Sequence, residues 1–217
     1  VKNKKMELIF ILDRSGSMAG LESDTMGGFN SMIEKQKKLE GEVRVTTVLF
    51  DDKYELLHDR FDLMDIGKLT GDKYYVRGST ALLDAIGISI EKTVKVQRNQ
   101  SEEARADKVM FVIITDGMEN SSTKYNYGKI RQLISHEEEK YGWEFIFLGA
   151  NIDAVHEAGK MGIKKDKASN YHADSLGVEC GYHYIDMAIA DVRSGKKLDK
   201  KWKQELEKDF NERKSNR

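Results

Sequence analysis

Two short apolar runs, Met6–Leu12 (MELIFIL) and Val109–Thr115 (VMFVIIT), constrain this chain most, because each stops abruptly at an aspartate. Runs of this kind, rich in Ile, Val and Phe, read as strands buried on both faces, and neither approaches the roughly 20 residues that cross a bilayer. Around them the apolar spacing turns helical. Met26, Phe29 and Ile33 recur within 24–39, ahead of Gly41; Leu83, Ile86, Ile90 and Val94 follow Thr80; Ile130, Leu133 and Ile134 precede a strand at Phe145–Leu148. A shorter helix over 151–161, a weak edge strand over 168–171 and a helix striped by Val178, Tyr182, Ile185, Ile189 and Val192 complete the alternation. Buried strands separated by helices predict a doubly wound, Rossmann-like α/β fold, a mostly parallel sheet with helices on both faces. Its ligand site is expected at the carboxyl ends of the central strands. Only Asp51-Asp52 separates Val43–Phe50 from Lys53–His58, which predicts a hairpin and one antiparallel edge strand.

Charge narrows the partners. Thirty-six Lys and Arg against 37 Asp and Glu leave a net −1, so neither nucleic acid nor a membrane surface is expected. A single cysteine excludes an internal disulfide framework and a Cys-rich zinc module, and the five histidines show no ligand spacing. With no secretory apolar segment, the expected location is cytoplasmic. At 217 residues the chain divides into one domain over 1–195 and a charged tail over 196–217. In the tail, Leu198, Trp202, Leu206 and Phe210 recur every four residues. That stripe suits a helix docked on its own domain, or a partner-binding helix anchored by Trp202 and Phe210.

Three polar clusters fall where this fold places functional loops: Asp13-Arg14-Ser15-Gly16-Ser17, Gly78-Ser79-Thr80 and Asp116-Gly117. Each alone is an ordinary turn or helix cap. Asp84, one turn into its helix, supports either the site or the helix N-terminus. Together, the carboxylates of Asp13 and Asp116 and the hydroxyls of Ser15, Ser17 and Thr80 make an all-oxygen set suited to Mg²⁺ or Mn²⁺.

Asp13-x-Ser15-x-Ser17, Thr80 and Asp116, in that order, resemble the metal-ion-dependent adhesion site of von Willebrand factor A domains. The segments ILDRSGSM, RGSTALLDAI, FVIITDGMEN and FLGAN resemble bacterial stand-alone members, and the similarity runs from Met6 to Val192. The resemblance implies a six-stranded sheet ordered 3-2-1-4-5-6 with strand three antiparallel. It implies direct coordination of the metal by Ser15, Ser17 and, in the ligand-engaged state, Thr80. Asp13 and Asp116 then act largely through water, and a partner protein supplies an acidic side chain. A metal-dependent interaction module follows, acting as scaffold or regulator in a bacterial stress-type complex.

Arg14, Tyr74, Tyr75, Arg77, Met118, Glu119 and Asn120 lie beside the motif loops and are expected to form a recognition rim, with the irregular stretch 61–79 supplying specificity. The competing class is a metal-dependent enzyme or an accessory subunit of an ATPase complex. No P-loop, no Gly-x-Ser-x-Gly elbow and no nearby His or Glu base is present, so no catalytic residue is expected.

Overall fold

A computed structural model describes residues 4–215. The apolar runs form the middle of one six-stranded sheet: β1 (Lys5–Asp13), β2 (Glu42–Phe50), β3 (Tyr54–Asp62), β4 (Lys108–Thr115), β5 (Glu144–Gly149) and β6 (Ala168–Asn170). Their spatial order is β3-β2-β1-β4-β5-β6, with β2–β3 antiparallel and every other pair parallel. This is the von Willebrand factor A-type arrangement that the loop motifs imply.

Strand alternation explains the layers. Leu8, Phe10 and Leu12 of β1 pack with Phe29, Met32 and Ile33 of α1 (Glu22–Gln36) and with Ile185, Ile189 and Val192 of α5 (Ser175–Arg193). Ile9 and Ile11 face the other way, towards α2 (Leu82–Asn99), α3 (Tyr127–Tyr141) and α4 (Ala154–Lys160). Both faces of β1 are therefore dry, which is why its sequence is a continuous apolar run rather than an alternating one. None of the helices among the described residues is long and apolar enough to cross a membrane.

Three elements differ from the sequence reading. β3 continues to Asp62, four residues past His58, because an edge strand tolerates the polar HDRFD segment. Its register shifts opposite Thr47, and Arg60 takes a left-handed φ of 55° that sends its guanidinium onto the buried Glu7 carboxylate. α2 starts at Leu82, not at Thr80, whose hydroxyl caps nothing. The stretch 61–79 is not loose: Leu63, Ile66, Leu69 and Tyr74 are buried, and Asn30 makes two hydrogen bonds to the Leu69 backbone.

The final segment is packed on the same core. Leu198, Trp202 and Leu206 are buried beside α5, and Phe210 of α6 (Gln204–Ser215) stacks on His172 at 4.5 Å. Trp202 Nε1 donates to the Asp166 carbonyl (2.9 Å), and Lys203 Nζ donates to the carbonyls of Lys165 and Ala168.

Candidate metal centre

β1 and β4 are parallel neighbours, paired from Met6↔Lys108 to Leu12↔Ile114, so the aspartates that end them emerge side by side. Asp13 then shapes its own loop. One carboxylate oxygen accepts the Ser15 amide (2.7 Å), and the other accepts the Thr115 hydroxyl (2.5 Å). The turn that follows holds Ser15 Oγ and Ser17 Oγ 3.0 Å apart. Thr80 arrives from the connection before α2. Asn120 holds it in place by accepting the Thr80 amide (2.9 Å) and donating to the Thr80 carbonyl (3.0 Å). Gly16 N donates to Gly78 O, Asn120 N to Thr80 O and the Thr115 hydroxyl to Asp13, so all three motif loops are tied to one another, while Ala81 N ties the second to the β2–β3 turn at Asp51 O.

The convergence can be measured at Gly117. A Cβ at that position would lie 3.0 Å from Ser17 Oγ, 3.1 Å from Thr80 Oγ1 and 3.9 Å from Ser15 Oγ. Three hydroxyls thus surround one point of backbone, and glycine is the residue that leaves them room. Beside them Asp116 is 2% exposed, and neither of its carboxylate oxygens has a hydrogen-bond partner. Burial raises its pKa and the neighbouring Asp13 adds to this; Ser17 and Asn151 lie close enough to favour the ionised form without meeting hydrogen-bond geometry. Burial likewise raises Asp13, against the opposing bonds from Ser15 and Thr115. Two adjacent buried carboxylates, one wholly unpaired, carry a desolvation cost that a divalent cation removes. Among the described residues, no group of three or more His, Cys, Asp or Glu side chains is placed to hold a metal. A cation held here would rest mainly on neutral hydroxyls, and the donor set fits a hard ion.

Two residues of the expected rim are not at the surface. Arg14 is fully buried, its Nε on Asp51 (2.9 Å) and its Nη2 on Glu55 (2.7 Å). The cause is the register Asp13↔Phe50, which turns the next side chain towards the β2–β3 hairpin. Tyr74 is also buried; its hydroxyl donates to the Asp13 carbonyl (2.5 Å) and bolsters the motif loop from below. Glu119 and Asn120 are structural too. Glu119 accepts the Leu83, Ser121 and Ser122 amides, closing the start of α2, while Asn120 clamps Thr80. Met118 (60% exposed) and Tyr75 (43%) are open to solvent, with Arg77 half-buried between Asp51 and the Tyr75 ring.

Several residues at the centre escaped the sequence reading. In the sequence Thr115 is simply the last residue of a strand, whereas in the structure its hydroxyl donates directly to Asp13. Asp51, which looked like a turn residue, is the buried acceptor for both Arg14 and Arg77. Asn151 closes the side of Asp116 from the loop after β5 with a left-handed φ of 55°, and its signal was the FLGAN segment itself. Asp84 accepts the amides of Thr123, Lys124 and Tyr125, fixing the loop that carries Met118 and Asn120.

Neither a protein-family model nor a curated protein matches the sequence. Solved structures match in fold. A minor pilin, PilB, from Streptococcus sanguinis aligns at a TM-score of 0.55 and 13% identity, over 86% of this chain and 61% of the pilin. Proximal thread matrix protein 1 of the mussel byssus aligns at 0.54 and 12%, over 84% of this chain and 45% of its own. Manganese-loaded TRAP protein of Plasmodium vivax aligns at 0.53 and 15%, over 82% and 72%. The chain therefore spans about three fifths of the pilin and under half of the mussel protein. At these identities the likeness establishes a shared fold.

Proposed function

We propose that this protein is a metal-dependent protein-interaction module whose cation, Mg²⁺ or Mn²⁺, is held at the face where Asp13, Ser15, Ser17, Thr80 and Asp116 converge. The observation that carries the reading is the ring of three hydroxyls around Gly117 beside an Asp116 carboxylate that nothing else satisfies. Manganese in the solved TRAP protein, a chain of similar fold, agrees with it. Bound there, the ion would supply a Lewis-acidic position open to a carboxylate from another molecule.

This chain's own residues do the rest. Ser15, Ser17 and Thr80 present neutral oxygens, so little of the ion's charge is quenched and its pull on an incoming Asp or Glu is kept. Asp13 and Asp116 balance the charge. Tyr74, Thr115 and Asn120 hold the donors at fixed positions, so little ordering entropy is spent on binding. Tyr75 and Met118 give the surrounding surface an apolar character, which favours an acidic residue flanked by apolar ones. No His or Glu stands at the site as a general base, and we assign it no catalysis. The role of scaffold or regulator in a cytoplasmic complex rests on the loop resemblance alone.

Capture of an immobilised glutamate-rich peptide tests the reading. Binding should require Mn²⁺ or Mg²⁺, vanish with EDTA, and weaken about tenfold in Thr80→Ala, which removes one hydroxyl donor and leaves the fold intact. Capture that survives EDTA, or equal capture by Thr80→Ala, would overturn it.

A further inference from the structure

The opposite end of the sheet carries a second candidate site. At the amino ends of β4 and β5, between α2 and α3, lies a cavity of about 240 Å³. Val94, Val109, Tyr141 and Trp143 wall it, and a groove lined by Val94, Arg98 and Glu137 among others continues it along the two helices. Glu137 sits in this wall and is 3% exposed. Its carboxylate takes part in no hydrogen bond among the described residues, and the imidazole Nε2 of His136 is 3.9 Å away. Burial raises its pKa, with His136, Arg98 and Lys140 opposing. The remaining polar lining is largely committed. Gln97 accepts the Ala106 amide, Asp107 accepts the Lys5 amide, and Arg105 Nε donates to the Gln97 carbonyl. Arg98 and Arg105 are exposed at the mouth, and neither pairs with Glu137 within 4.0 Å among the described residues.

A carboxylate this enclosed, with the cavity as its outlet, is stabilised by a cation that reaches it, and an ammonium group is a cation small enough to enter. Apolar and aromatic walls accept a hydrocarbon body behind that group, and Trp143 adds a polarisable face. The guanidinium groups at the mouth attract the opposite charge. The order from inside to outside is anion, apolar wall, cation.

We propose that this cavity binds a small amino-carboxylic acid, with its ammonium end on Glu137 and its carboxylate at Arg98 and Arg105. The site is independent of the metal face, which lies at the other ends of the same strands.

Isothermal titration with 6-aminohexanoate, hexylammonium and hexanoate tests it, run in EDTA so that no carboxylate can be recruited by a metal. The expected order is 6-aminohexanoate tightest, hexylammonium weaker and hexanoate unbound. Glu137→Gln keeps the side-chain shape and removes the charge, so its affinity for 6-aminohexanoate should fall at least about tenfold. Arg98→Ala combined with Arg105→Ala, both at exposed positions, should narrow the gap between 6-aminohexanoate and hexylammonium. The proposal is overturned if hexanoate binds as tightly as 6-aminohexanoate, if Glu137→Gln binds undiminished, or if no probe saturates the parent by about 10 mM.

Discussion

Asp51→Ala is expected to destabilise the protein by about 3–5 kcal/mol, the usual cost of leaving one member of a buried ion pair behind. Asp51 and Arg14 are both fully buried, 2.9 Å apart, and Asp51 also accepts Arg77 Nε at 2.7 Å and the Lys53 amide. Removing the carboxylate strands the Arg14 guanidinium, whose Nη1 already has no partner, with Glu55 as its remaining counter-ion. Arg14→Met should cost much less, because Asp51 keeps Arg77 and the Lys53 amide while a methionine fills the space. Urea unfolding of the two variants reads the asymmetry, and equal losses would contradict it. Acid should show the same pair. Burial raises the Asp51 pKa, but bonds from Arg77, Lys53 and Arg14 outweigh it and hold the group below the usual carboxylate range. A depressed folded pKa adds stability that is complete above the unfolded value, about 3.9, and is lost as pH falls through the folded one. Below about pH 4 the parent should therefore lose stability more steeply than Asp51→Asn.

Metal should stabilise the parent by about 2.7 kcal/mol at one hundred times its Kd, and Asp116→Asn should abolish that gain while making the metal-free protein more stable. The two signs come from one fact. The Asp116 carboxylate is buried beside Asp13 with neither oxygen bonded, a burden in the absence of a cation and an attraction in its presence. Thermal unfolding in EDTA and in Mg²⁺ measures both. If Asp116→Asn keeps the metal shift, the cation does not depend on this carboxylate; if it loses stability in EDTA, Asp116 has a structural role that its geometry does not show.

The fold was legible because β1, β4 and β5 are buried on both faces, and such runs alternating with helical stripes fit a parallel sheet covered by helices on either side. The convergence of the five motif residues at one end of the sheet was legible because a strand-ending Asp with hydroxyls at fixed spacing leaves a mark in the sequence. The rim was not. Whether Arg14 points to water or to Asp51 depends on the β1–β2 register, which pairs Asp13 with Phe50 and is set between strands 37 positions apart in sequence. Tyr74 looked like a surface aromatic in a polar stretch, but the hydrogen bonds from Asn30 draw that stretch onto the core. Glu119 and Asn120 follow the metal loop as recognition residues would, and their hydrogen bonds are spent on α2 and Thr80. Adjacency along the chain identified the loops; long-range pairing decided which side chains they display.

The closing segment has a consequence for how such a molecule keeps company. β6 is a three-residue strand at the border of the sheet, and Lys203 and Trp202 reach into the chain around it, at Ala168 and Asp166. An uncovered border strand invites another copy to continue the sheet, an association without selectivity that needs no cation. With the last helix laid against that border, self-templated stacking is discouraged along this edge of the sheet.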